Sequence, residues 1–337
     1  MRSQPRDIFR SGFAAREVYN NMSFGIDSSR RFYETRVKEL IHREFSRYEN
    51  RIAVGLAGEG SDCFGYDDFV SRDHDFGTGV CLWIPDEDMT EYGNRLTRAY
   101  NRLAAEQPGN DLSARLAERR GVMTIHDFYS DILNIDCDTR NCRLSDEDWQ
   151  ALDHNCLATA VNGEVFRDDL GAFTAFRDML LNYYPEHIRR IRIVNELHRF
   201  AQALQVNYAR CMTRGDIVAA ALCRMQGLEA ATELFFLMKK QYPPYYKWTY
   251  RQMTELDTDG GFSGLIKKLS AESCDPDKWE NVPYQPDKLN TADKTVYYSE
   301  QIASYIVNML REQGFTRHTD PYLERYVDEI LSVNGLL

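Results

Sequence analysis

Two short segments carry the residue types that could do chemistry. Gly58-Glu59-Gly60-Ser61 comes first, and after eleven intervening residues Asp73-His74-Asp75 follows. Side chains on an extended strand alternate with period two, so Asp73 and Asp75 would project to one side and His74 to the other. Two carboxylates converging on one point suit Mg²⁺, a hard cation that takes carboxylate oxygens while keeping waters and substrate phosphates. Glycines let backbone N–H groups come close to a phosphate, and the Ser61 hydroxyl adds a donor. Metal and triphosphate would then share one site. His74, on the far face, reads as a buried, hydrogen-bonded histidine rather than a base. Neither half is specific alone. With 52 acidic residues in 337, acid-x-acid spacing arises about eight times by chance, and Gly-Ser is usually a turn. Their occurrence in this order between two predicted strands is what gives them weight.

The elements that must position these residues follow from hydrophobic periodicity. Phe32, Val37, Leu40, Ile41, Phe45 and Tyr48 recur at helical spacing and lead into an apolar run, Ile52 to Ala57, that reads as a buried strand. A second strand is predicted from Asp75 to Ile84, stopped by Pro85, which cannot donate to a ladder. A helix over Met89 to Leu103, a short strand over Gly121 to Ile125 and a strand over Gly163 to Phe166 complete an alternating first half. Arg167 to Gly171 has turn composition, and the domain boundary is placed there, giving residues 1–170 and 171–337. Beyond it, Phe173 to Tyr183, Glu186 to Leu204, Asp216 to Gln241, Tyr245 to Leu256, Thr291 to Gln313 and Pro321 to Leu331 read as helices. Pro243-Pro244 breaks the run, and Asp275 to Lys288 reads as a surface loop. The expected fold is α+β: a mixed β-sheet with helices, followed by an all-α helical bundle.

Composition excludes several classes. A formal charge of −11 and 43% hydrophobic residues describe an ordinary globular chain rather than a disordered or collagen-like one. No apolar run approaches the roughly 18 residues that cross a bilayer, and Met1 to Phe13 is charged and polar where a signal peptide would be apolar. A cytoplasmic protein is expected. The acidic balance disfavours broad nucleic-acid binding, which would need a local basic patch. Eight cysteines in a chain of this length read as thiols rather than a disulfide framework. Cys137, Cys142, His154 and Cys156 are four metal-ligand types in a short span, but their irregular spacing argues for an acidic loop with incidental thiols over zinc. There is no Walker loop and no dinucleotide fingerprint.

A nucleoside triphosphate brings about four negative charges, so an acidic protein needs a compensating cluster of cations to hold one. Arg210 and Arg214 precede one predicted helix, and Lys239, Lys240 and Lys247 bracket the Pro243-Pro244 break. Lys239 and Lys240 equally suit a helix C-terminus, where they would offset the dipole. Tyr242, Tyr245, Tyr246 and Trp248 sit beside these cations, and aromatic residues at this spacing are more often core.

A strand, Gly-Ser, about ten residues, then Asp-x-Asp on the next strand resembles the signature of the polymerase-β-like nucleotidyltransferase superfamily. The longer runs Val54 to Gly65 and Ser71 to Gly77 are similar to the bacterial DUF4037 nucleotidyltransferase-like proteins. The resemblance extends to Leu157 to Asp168, to Asn207-Tyr208-Ala209-Arg210 and to Tyr245-Tyr246-Lys247-Trp248. It implies a small mixed sheet fused to a helical bundle, with nucleotide in the cleft between them. It further implies that Gly60 and Ser61 hold the triphosphate, that Asp73 and Asp75 bind Mg²⁺, and that Lys247 with Arg210 offsets phosphate charge. A third acid should come from a later strand. Here that strand reads Val122-Met123-Thr124-Ile125 followed by His126 and Asp127. Asp127 is the first choice and Glu164 the second, with a helix cap or a solvated position equally open for each. The implied reaction moves AMP from ATP onto an acceptor hydroxyl and releases pyrophosphate. The acidic charge favours a small-molecule acceptor over RNA or protein. The alternative is a non-catalytic nucleotide-binding sensor or interaction protein on the same fold.

Overall fold

The computed structural model describes residues 24–68, 70, 77–107, 119–285 and 288–332. Asp73, His74 and Asp75 lie outside the described residues. The chain divides into two compact units that meet at Asn182 and Tyr183.

The first unit is built on a mixed four-stranded sheet ordered β3-β2-β1-β4, with β1 at Ala53–Leu56, β2 at Cys81–Ile84, β3 at Gly121–Thr124 and β4 at Glu164–Arg167. β1 is antiparallel to β2 (Val54 opposite Leu82) and to β4 (Leu56 opposite Glu164), whereas β2 and β3 run parallel (Leu82 opposite Val122). A parallel pair needs a long crossover, and the segment between β2 and β3 carries helix α2, residues 86–105. β1 and β2 are buried at every position, which is why both read as continuous apolar runs rather than alternating ones. One face packs on helix α1 (residues 24–44) and on α2, through Phe32, Val37, Ile41, Phe45, Leu96 and Tyr100. Both helices pass through a π turn, at Tyr33–Val37 and Met89–Gly93, without breaking.

The unit continues with α3 at Ile125–Leu133, α4 at Asp146–Ala151, α5 at His154–Val161 and α6 at Ala172–Leu181. Here the structure departs from the sequence-based boundary after residue 170. Phe173, on α6, stacks its ring on Trp83 of β2 at 3.8 Å and lies 5.3 Å from Phe128 and 5.2 Å from Tyr129 of α3. The turn at Arg167 to Gly171 is real, since the Asp168 carboxylate accepts the N–H groups of Gly171 and Thr174, but it is a turn inside the unit rather than a linker. Of the strand predicted over Asp75 to Ile84, the described part is ladder-paired from Cys81, residues 77–80 are irregular, and residues 75 and 76 lie outside the described residues.

The second unit is helical: α7 over residues 186–213, α8 at Ile217–Lys239, α9 at Tyr246–Leu256, α10 at Gly261–Ala271, α11 at Lys294–Glu312 and α12 at Tyr326–Ser332. α7 also runs through a π turn, at Ala201–Asn207. Arg189 of α7 is fully buried, and its Nε donates to the Leu237 carbonyl at 3.0 Å while its Nη1 meets Glu186. It thereby adds a side-chain donor to a last-turn carbonyl of α8 that also accepts the Lys240 N–H at 3.4 Å. Among the described residues no helix is long and apolar enough to cross a membrane.

The stacking of Phe173 on Trp83 predicts that Phe173→Ala lowers the stability of the intact chain by about 3–5 kcal/mol, read by urea unfolding. A loss under about 1 kcal/mol would detach α6 from the sheet unit.

Candidate phosphate-binding loop

β1 ends at Leu56, and the chain then turns through the glycine segment. Gly58 and Gly60 hold φ of +104° and +124°, backbone that residues with a Cβ rarely adopt. The Asn162 side chain clamps Gly58 at both ends: its Oδ1 accepts the Gly58 N–H at 2.8 Å, and its Nδ2 donates to the Gly58 carbonyl at 2.8 Å. The loop closes on itself where the Tyr66 N–H donates to the Ser61 carbonyl at 2.8 Å. Ser61 itself is partly exposed.

Beneath the loop lies Arg120, the residue before β3, whose side chain is 3% exposed. Its Nη2 meets Asp62 Oδ2 at 2.9 Å and Cys63 Sγ at 3.4 Å, and its Nη1 donates to the Arg119 carbonyl at 3.1 Å. Burial works against the guanidinium charge, yet the anionic neighbourhood outweighs it and keeps Arg120 protonated. Burial also pushes the thiols of Cys63 and Cys81 up, so both are neutral at physiological pH and Asp62 is the balancing anion. The other Asp62 oxygen, Oδ1, accepts the Cys63 N–H at 3.0 Å. A Cβ on Gly60 would come within 2.3 Å of that same oxygen, so glycine is required there by space as well as by φ. Glu59 points outward and pairs with Arg119 at 3.0 Å.

The other predicted site residues are placed as follows. Asp127 stands in the first turn of α3, where its N–H donates to Thr124 Oγ1 at 2.9 Å. Its carboxylate is 58% exposed and 3.6 Å from His126 Nδ1. The His126 Nε2 lies 2.8 Å from Asp136, and that contact raises the imidazole pKa, with a smaller contribution from Asp127. Asp127 is a first-turn acid on α3, capped by Thr124, with its carboxylate largely in solvent. Glu164 opens β4 opposite Leu56 and engages Arg30. In the helical unit Arg210 is exposed, with its Nε 3.2 Å from the Tyr284 hydroxyl, and Lys247 is exposed on the first turn of α9. Lys239 lies over the Phe235 ring at 5.4 Å, and Lys240 closes α8 in a left-handed conformation. Tyr242 is core, packed 4.8 Å from the Tyr183 ring. Trp248 Nε1 donates to the Tyr245 hydroxyl at 2.7 Å.

Among the described residues, no group of three or more His, Cys, Asp or Glu side chains is placed to hold a metal. Cys137 is buried with its N–H on Ser130 Oγ, Cys142 donates to the Thr139 carbonyl, and His154 opens α5. Sequence reasoning passed over Asp62 and Arg120 and did not give Asn162 a role. The available signals were weak: an Asn-Gly pair just before β4, and an arginine at the entry to a short apolar strand.

Residues 149–249 match the family described as Domain of unknown function (DUF4037), which supports the family resemblance. The matched stretch includes Asn162, β4, α6, Arg210 and Lys247, while the glycine loop lies outside it. No curated protein and no solved structure matches the chain.

Removing Asp62 leaves a buried charge without its counter-ion, so Asp62→Ala should cost about 3–5 kcal/mol in chemical denaturation. Glu59→Ala, which breaks only the outward pair with Arg119, should cost less than about 1 kcal/mol. Equal, small effects would contradict the buried pair. For His126, an NMR titration should give a midpoint above 6.5 that falls in Asp136→Asn. Because the folded pKa is the raised one, the pair's contribution to stability is present below pH 6.5 and fades as pH rises through the folded midpoint.

Proposed function

We propose that the chain is a Mg²⁺-dependent nucleotidyltransferase that moves a nucleoside monophosphate, AMP from ATP, onto an acceptor hydroxyl with release of pyrophosphate. The observation that carries this reading is the loop at the end of β1. Two glycines in positive-φ backbone, separated by the outward Glu59, are held from one side by Asn162 and from below by the Asp62–Arg120 pair, which leaves a rim of bare backbone at Gly60 beside Ser61. Such a rim suits the close approach of phosphate oxygens to backbone N–H groups. The mixed four-stranded sheet and the separate helical unit agree with the architecture the resemblance implies.

In this reading Gly60 and Ser61 hold the triphosphate so that the acceptor oxygen attacks the α-phosphorus in line with the departing pyrophosphate. A bond forms from the acceptor oxygen to phosphorus, the bond from phosphorus to the bridging oxygen of pyrophosphate breaks, and the hydroxyl proton leaves to a base or to water. Asp73 and Asp75 would hold Mg²⁺, which supplies neutralisation of phosphate charge and a lowered acceptor pKa. Arg210 and Lys247 are the proposed cations toward the phosphates. A small-molecule acceptor fits the acidic chain better than RNA does.

A second reading, a nucleotide-binding sensor that does no chemistry, is favoured by one observation. β3, at Gly121–Thr124, carries no carboxylate, and Asp127 and Glu164 are engaged with His126 and Arg30. Binding without pyrophosphate release, across a broad acceptor set, would select it.

Calorimetry should show ATP binding that requires Mg²⁺ and is lost in Asp73→Asn and in Asp75→Asn. Label transfer from α-³²P-ATP should fall by at least about 100-fold in either variant. Ser61→Ala, which removes one hydroxyl donor, should weaken binding by about 1 kcal/mol. Undiminished transfer in Asp73→Asn, or no binding of any nucleoside triphosphate by the wild-type chain, would overturn the assignment.

A further inference from the structure

Three of the chain's eight cysteines come together in the helical unit from three separate segments. Cys211 lies in the last turn of α7, Cys223 in the first half of α8, and Cys274 just beyond α10. All three pack against one cluster made by Tyr208, Met212, Ala220, Trp279 and Val296. That cluster is buried, but each of these cysteines is only partly so, unlike Cys63, Cys81 and Cys137, which are enclosed in the sheet unit. A thiol that merely fills a core is enclosed and inert, whereas these stand at the rim of their cluster, where a small solute reaches them. Two of them meet. The Cys223 thiol is engaged side chain to side chain with Cys211, and Cys274 is close enough to act on it electrostatically. Burial first, and then the Cys211 thiol, push the Cys223 thiol up, so it is held neutral at physiological pH.

We propose that Cys211 and Cys223 are a reversible dithiol–disulfide pair, whose closure by a peroxide staples the end of α7 to the start of α8. The turn between them is already anchored on Cys211, whose carbonyl accepts the N–H groups of Arg214 at 3.1 Å and of Asp216 at 3.0 Å. Two side chains already in contact across packed helices can bond with little movement of either backbone. Because Cys223 is held as the neutral thiol, the first attack falls to Cys211. Its sulfur takes one oxygen from hydrogen peroxide, the O–O bond breaks, water leaves, and Cys211 becomes a sulfenic acid. The Cys223 sulfur then displaces that oxygen as a second water, and the S–S bond forms. The two thiols are oxidised, the peroxide is reduced, and both thiol protons end in water. A dithiol reductant reopens the bond by thiolate attack through a mixed disulfide, so the pair rests open wherever reductant prevails.

The full chain, treated with hydrogen peroxide, alkylated and digested without reduction, should yield the peptides of Cys211 and Cys223 joined, about 2 Da lighter than the two free peptides together. Two of the eight free thiols should be lost to a chromogenic thiol reagent and return with dithiothreitol. Amide hydrogen exchange at Arg214 and Asp216 should slow in the oxidised chain, because the staple fixes the carbonyl that both bond. Cys223→Ser, with its fold checked by circular dichroism, should give no cross-link and leave a sulfenic acid on Cys211 that dimedone captures. Cys274→Ser should form the bond as the wild-type chain does. A folded wild-type chain that forms no cross-link, a link that runs mainly through Cys274 or between chains, a Cys211–Cys223 link that appears only after unfolding in urea, or turn amides indifferent to the bond would each overturn the pair.

Discussion

A guanidinium closed off from water needs an anion held against it, and much of the sheet unit's candidate site follows from how this chain meets that need. Arg120 enters the interior just before β3, and Asp62 turns inward from the loop after β1 to balance it. Each ion removed from water costs several kcal/mol, and hydrogen bonds to Cys63 and to the Arg119 carbonyl offset part of that, while the buried Arg120 Nε has no partner among the described residues. Once Asp62 is fixed in this way, the backbone at Gly60 has a carboxylate oxygen where a side chain would go. The loop is therefore shaped from below by a charge and from the side by the Asn162 amide, and its outer side carries Glu59 and Ser61 with bare backbone at Gly60 between them.

That arrangement also ties strands that are distant in sequence. Asp62 follows β1 and Arg120 precedes β3, with β2 between them in the sheet. Asn162 precedes β4 and grips the other end of the same loop. Loop and sheet are thus one cooperative object, because disturbing the loop exposes a charge that the strands otherwise enclose. The stacked ring pair of Trp83 and Phe173 does the equivalent work where the sheet meets α3 and α6, using dispersion and apolar burial instead of charge.

What the sequence disclosed and what it withheld divide along a physical line. Local periodicity and breakers disclosed most elements: the buried strands at β1 and β2, the stop at Pro85, and the helices of the second half. The start of β2 was misread because the apolar pattern weakens across Gly77-Thr78-Gly79, where the ladder has not yet begun. Helix α10 was passed over because Asp257, Asp259, Gly260 and Gly261 read as turn residues, and they are: Asp259 accepts the Gly261 N–H and the helix starts there. The interactions that shape the loop were not legible at all. Asp62 and Arg120 are 58 residues apart, and Gly58 and Asn162 are 104 apart, so no local rule links them. Asp73 and Asp75, on which the metal argument rests, lie outside the described residues.

Charge accounting at the loop constrains how the proposed reaction would run. Arg120 is neutralised by Asp62, and Arg119 by Glu59, so the two arginines paired at the glycine turn bring no net positive charge to it. A triphosphate arriving there meets hydrogen-bond donors but no free cation from this pair, inside a protein that is acidic as a whole. Backbone N–H groups orient phosphate well but offset little of about four negative charges. Tight binding at this loop therefore depends on a divalent cation accompanying the nucleotide, or on lysine and arginine side chains supplied from outside the loop. The proposed Mg²⁺ would answer the loop's own neutrality, and a nucleotide offered without a divalent cation should be the poorest ligand of all.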